Sequence, residues 1–130
     1  MLHAEAVFAP EVGSARLART FVRTALEAHA LPADLAVLLV SELATNAVLH
    51  ARTDYVVRLT SNDGRVRVEV QDANERSPSI AHAPPEATSG RGLQLVQTLS
   101  AGWGVEGRPD GKVVWFEVDA CDNDREAAFA

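Results

Sequence analysis

The sequence predicts an α+β fold, a two-layer α/β sandwich whose mostly antiparallel sheet is covered on one face by about three helices. Three observations lead there. The elements read in the order strand, helix, helix, strand, strand, long loop, helix, strand, strand, without the strict alternation of a parallel βαβ sheet. YVVRLT (55–60) and RVRVEV (65–70) flank Ser61-Asn62-Asp63-Gly64, the clearest hairpin signal in the chain. Residues 33–51 contain no Gly or Pro and are apolar round most of a helical circumference, so a helix there must be largely buried.

Taken in order, residues 4–8 (AEAVF) form a short first strand, ended by Pro10 and Gly13. Residues 14–30 form a helix with Ser14 as N-cap. Leu17, Phe21, Val22, Ala25 and Leu26 recur at helical spacing as its buried stripe. Leu31-Pro32 breaks it before the apolar helix. In the hairpin's second strand, Val66, Val68 and Val70 share one face; Arg65, Arg67, Glu69 and Gln71 share the other. Residues 73–91, with Pro78, Pro84, Pro85 and Gly90, form a loop long enough to have a purpose of its own. GLQLVQTLS (92–100) is a short helix, followed by strands near 103–107 and 112–119 around Pro109-Asp110-Gly111. Trp103 and Trp115 are read as core residues.

A length of 130 residues fits one domain, assigned to 1–120, with a frayed polar tail over 121–130. The net charge of -6 argues against nucleic acid as a direct partner. No apolar run approaches the roughly 20 residues of a membrane span. The start, MLHAEAVFAP, has no basic segment leading into an apolar one, so neither membrane nor secretion is expected. A single cysteine, Cys121, allows no internal disulfide, and a cytoplasmic location follows as the simplest expectation. His3, His29 and His82 have no metal-ligand spacing with one another or with Cys121, so no structural zinc is expected. Arg16, Arg19 and Arg23 form a basic ridge on the first helix, either a solvated face or a dock for an acidic partner.

Three features could carry chemistry. Glu42 and Asn46 lie four apart and share a helical face, interleaved with Leu35, Leu39 and Leu49. They are either a polar pair reaching water at the helix edge or a functional pair. Asp72 shares the parity of Val66, Val68 and Val70, so a continued strand points it toward the core, where an acid needs a donor. If the strand stops at Val70, Asp72 merely opens a turn. Ser89-Gly90-Arg91-Gly92-Leu93 lies just before a helix, where close backbone approach and unpaired N–H groups suit a phosphate; a flexible turn is the plainer reading. A dinucleotide fingerprint fails because Leu95 stands where a third Gly is needed. A P-loop fails for want of Gly-Lys-Ser/Thr.

In this order the features resemble the GHKL ATPase superfamily, with its Bergerat-type fold, and within it the small regulators similar to anti-sigma-factor serine/threonine kinases. The resemblance is carried by SELATNAVLHA (41–51), VRVEVQDAN (66–74), SGRGLQLVQTLS (89–100) and GKVVWFEV (111–118), and covers roughly 5–119. It implies a histidine-kinase-like ATPase domain that binds ATP and Mg²⁺. Glu42 would be the catalytic general base and Asn46 the Mg²⁺ ligand. Asp72 would accept from adenine N6, with Asn74 in the loop beside it. Gly90, Arg91 and Gly92, followed by Leu93, would line the phosphates under a lid formed by 73–89. His50 and Arg52 could approach the nucleotide from the helix end. The implied partners are a sigma factor, an anti-sigma-factor antagonist and a second copy in a homodimer.

The chain departs from the family's Asp-x-Gly-x-Gly box, reading Asp72-Ala73-Asn74-Glu75-Arg76. Asn74 can replace a left-handed glycine; Arg76 does so less cheaply. A second reading therefore stands beside the kinase: a non-catalytic protein-binding module that keeps the fold and binds nucleotide weakly or not at all.

Overall fold

The hairpin closes through Asp63 and Gly64, whose positive φ values of 51° and 80° match the twist of the flanking strands. In the computed structural model, which describes residues 2–73 and 88–120 (88–92 through their backbone), this hairpin is the centre of one five-stranded sheet. The elements are β1 (His3–Phe8), α1 (Ser14–Ala28), α2 (Asp34–Asn46) running on into a π-helical turn (Ala47–Ala51), β2 (Tyr55–Asn62), β3 (Arg65–Asp72), α3 (Thr88–Leu99), β4 (Gly102–Arg108) and β5 (Gly111–Asp119). The strand order is β1-β2-β3-β5-β4, with every neighbouring pair antiparallel. The predicted two-layer sandwich is the observed architecture.

The helices lie on one face. α2 packs against both α1 and α3 and over β3 and β5, so it occupies the middle of the layer. Its Leu39, Val40, Leu43 and Ala44 meet Val57, Leu59, Val66, Val68, Phe116 and Val118 in one core. Segment Asp34–Ala51 is long and apolar enough to cross a membrane by length and hydropathy, but its apolar side chains are spent on this core. Leu38 and Leu49 are exceptions, 43% and 49% exposed, because the layer covers α2 only on the sides that neighbours reach.

Helix α1 departs from the expectation in two details. Its buried stripe is Ser14, Ala18, Val22 and Leu26, spaced strictly by four, and Leu17 is 60% exposed. Gly13, not Ser14, is the cap residue; Ser14 begins the helix with its hydroxyl buried 2.7 Å from the Tyr55 hydroxyl. Phe8 stacks on Tyr55 at 5.6 Å and meets Phe21 edge-on at 6.0 Å, tying β1, β2 and α1 together.

The opposite sheet face carries alternating charge. Arg58 reaches Glu5 and Glu69, and Arg67 and Arg65 reach Glu117 at 3.4 and 3.3 Å. Trp103 packs on the core as expected. Trp115 does not. Its parity puts it on the charged face, with the Arg67 guanidinium 4.0 Å above its ring. Across the ladder sits Gly104, where a Cβ would come 2.7 Å from the indole nitrogen, so this strand position admits no side chain. The tail 121–130, with Cys121, lies outside the described residues, as does His82.

Burial raises the pKa of Tyr55, while the hydrogen bond with Ser14 partly offsets this. The folded state therefore holds the phenol proton more tightly than the unfolded chain. That contribution is fully present below the unfolded value of about 10 and is lost as pH rises through the folded value. Tyr55 is the only tyrosine, so tyrosinate absorbance reports this group alone. Ser14→Ala should cost about 1–2 kcal/mol in denaturant unfolding at neutral pH by leaving a buried hydroxyl without its partner. Tyr55→Phe should lessen the alkaline loss of stability; an unchanged alkaline profile would overturn the assignment.

Candidate functional site

One end of the sheet gathers several elements. Phe8, Tyr55, Asp72 and Lys112 are successive cross-strand partners on β1, β2, β3 and β5. The first turn of α1 arrives there through the Ser14–Tyr55 contact. The chain leaving α2 arrives there as well: the Ala73 N–H donates to Thr53 Oγ1 at 3.0 Å, joining the end of β3 to the segment that enters β2.

Strand β3 runs through Asp72, so the residue does not merely open a turn. It is only 6% exposed and shares the helix-facing side of Val66, Val68 and Val70. The Lys112 ammonium lies 3.1 Å from Asp72 Oδ2 and is itself mostly buried. Removing two charges from water is costly, and the pair is held only because each neutralises the other at hydrogen-bond distance. Gly111 makes this approach feasible. Its φ is +149°, and a Cβ there would overlap the Asp72 carbonyl oxygen and fall 2.9 Å from Ala73 Cα. Sequence reasoning recognised that a buried Asp72 needs a donor but missed Lys112. The signal was available: Lys112 is the chain's only lysine, set in a strand directly after a turn glycine.

Glu42 and Asn46 sit one turn apart on α2, both half-buried, flanking buried Leu43 and Ala44. Their polar neighbours on the helix are already engaged. The Ser41 hydroxyl accepts from Arg19 of α1 at 2.9 Å, and the Thr45 hydroxyl donates to the Ser41 carbonyl at 2.8 Å. Among the described residues, neither Glu42 nor Asn46 has a side-chain hydrogen bond or ion pair. After Asn46 the helix widens into the π-helical turn, closed by Arg52 N–H donating to Ala47 O at 3.0 Å, with Arg52 at φ 59°. Such turns recur at functional sites. His50 and Arg52 are exposed at this helix end.

Helix α3 begins at Thr88, not at Gly92, so Gly90, Arg91 and Gly92 belong to its first turn rather than to a preceding loop. At the other end, Ala101 N–H donates to Glu117 O at 2.7 Å, which anchors the C-terminus of α3 five residues along β5 from Lys112. The glycine-bearing turn is thus the end of α3 remote from that anchor, with Leu93 and Val96 buried against the core behind it. The first unpaired N–H groups of a helix favour anions. Asn74 and most of the predicted lid lie outside the described residues. Among the described residues no three His, Cys, Asp or Glu side chains gather as a metal-ligand set.

Residues 8–118 match the family of the histidine kinase-like ATPase domain. The chain belongs to that family. A relative in Streptomyces coelicolor, the uncharacterized protein SCO4941, is 41% identical over 68 residues, covering 50% of this chain and 65% of that protein. The solved structure of the RsbU and RsbW domains of Rv1364c from Mycobacterium tuberculosis superposes with a TM-score of 0.71 over 92% of this chain and 32% of that one. Its identity is 19%, which speaks for the fold. The histidine kinase domain of a blue-light activated histidine kinase from Erythrobacter litoralis is 29% identical, with a TM-score of 0.52 over 74% of this chain and 48% of that one. The histidine kinase-like chain therefore spans less than two thirds of each of these relatives.

The close approach at Gly111 gives a test of how the site is held. Gly111→Ala should lower unfolding stability by about 1–3 kcal/mol, the cost of forcing atoms into an occupied position. Gly107→Ala on the same hairpin, where a Cβ meets nothing within 4 Å, should change it little. Equal effects in a thermal melt would show that the Asp72 contact exerts no constraint.

Proposed function

We propose that this chain is an ATP-binding regulatory protein, an anti-sigma-factor-like serine/threonine kinase that phosphorylates an antagonist protein and sequesters a sigma factor. The observation that carries the reading is the buried Asp72 carboxylate, facing the helix layer at the sheet end where α2 terminates. In a histidine kinase-like ATPase domain that position suits an acceptor for the adenine amine. The donor set fits the rest of the ligand. Asn46 supplies an amide oxygen, a hard ligand suited to Mg²⁺, and the first turn of α3 supplies N–H groups for phosphates. Mg²⁺-ATP would supply the transferable phosphoryl group.

Within that arrangement Glu42 takes the proton of the attacking serine or threonine hydroxyl. Asn46, one turn along, holds the metal side, and Gly90, Arg91 and Gly92 hold the phosphates. Phosphoryl transfer needs mainly such positioning and charge neutralisation. The RsbW domain named in the mycobacterial neighbour supports the anti-sigma setting. A cytoplasmic location and a homodimer accompany the proposal.

The loop sequence Asp72-Ala73-Asn74-Glu75-Arg76, without the family's glycines, favours the second reading of a non-catalytic binding module. Thermal unfolding with Mg²⁺ and ATP separates the two. Nucleotide at 100 times its Kd should stabilise the fold by about 2.7 kcal/mol, and no shift at millimolar ATP would sink the kinase reading. Glu42→Ala should retain ATP binding and lose phosphotransfer, whereas Asn46→Ala should weaken binding only when Mg²⁺ is present. Phosphotransfer by Glu42→Ala at the wild-type rate would remove Glu42 from the role of base.

A further inference from the structure

The geometry points to Lys112 as the residue that sets base selectivity, opening the site to guanine as well as adenine nucleotides. This rests on the reading of Asp72 as the base acceptor. Adenine offers a donor, its exocyclic amine, beside an acceptor, its N1. Guanine reverses the order, with an O6 acceptor beside an N1–H donor. A carboxylate without a neighbouring donor satisfies the adenine amine but sets an anion against guanine O6. A site that leaves a buried polar group unmatched rejects such a ligand.

Here the carboxylate does not stand without a donor. The Lys112 ammonium is 3.1 Å from Asp72 Oδ2, and only 12% of its side chain is exposed. Neighbouring hydrogen-bond partners of a base edge are spaced by roughly that distance. The pair therefore presents an acceptor and a donor side by side, inside the helix-facing row of β3 and β5. Guanine can place N1–H on Asp72 and O6 on Lys112; adenine can place its amine on Asp72 and N1 on Lys112. The ammonium is fixed in this register, because Gly111 brings β5 against the Asp72 backbone.

Two measurements test this. Titration calorimetry on the full chain with Mg²⁺ should give ATP and GTP affinities within about tenfold of each other, and Lys112→Met should weaken GTP at least about tenfold more than ATP. That variant leaves Asp72 without its cation and could fail to fold, so the second measurement uses the unaltered protein. Isotope-labelled lysine gives one side-chain NMR signal, since the chain has one lysine, and GTP and ATP should each move it. Binding of ATP with rejection of GTP by more than about a hundredfold overturns the inference and leaves the ATP site standing. A lysine signal unmoved by saturating GTP, or equal loss of both nucleotides in Lys112→Met, also overturns it. Binding of neither nucleotide removes both this inference and the ATP reading beneath it.

Discussion

Covering α2 is the constraint around which the rest of the chain is arranged. A helix with apolar residues on most of its circumference cannot rest on a sheet as an ordinary surface helix does. It needs a neighbour on each flank, and α1 and α3 supply them. That fixes the helix layer, and the layer fixes which sheet face is apolar. The other face is released from packing and carries arginines, glutamates and Trp115. Such half-exposed ion pairs add little stability, but they keep the strand register unambiguous, since a slip of one residue would drive charges into the core.

The same arrangement explains why the polar residues of interest lie where they do. Glu42 and Asn46 are on the one stretch of α2 that the flanking helices do not consume, whereas Ser41 and Thr45 have hydrogen bonds within the layer. Asp72 stands at the end of a buried valine row, where the hydrophobic cover gives out. The histidine kinase-like domain thus keeps its polar groups at the margin of a continuous core, and a site at that margin needs no break in the packing.

Much of this was legible in the sequence, for identifiable reasons. The hairpin was readable because Asp63-Gly64 selects one turn geometry, and the Asp72 parity because side chains alternate strictly along a strand. Periodicity misled where the neighbours decide. Leu17 belongs to the apolar set of α1, yet the sheet meets the Ser14–Ala18–Val22–Leu26 line instead. The start of α3 was set too late because glycines weaken a helix signal even when they lie in its first turn. The partner of Asp72 was hidden for a different reason. It comes from a strand forty residues later, and pairing across a sheet leaves no local trace in the chain.

The π-helical turn at Ala47–Ala51 has a consequence for how the family can vary in length here. Its closing bond, from Arg52 N–H to Ala47 O, spans one residue more than an α-helical bond. Removing one residue would relax the turn to ordinary α-helix and rotate everything beyond it by roughly 100° about the axis. Thr53 and Tyr55 follow within a few residues, and both are committed, one to Ala73 and the other to Ser14. The turn therefore acts as a one-residue spacer between the helix that bears Glu42 and Asn46 and the sheet. Natural variation in chain length should avoid this segment and collect in the loops elsewhere, even though several of its side chains face solvent.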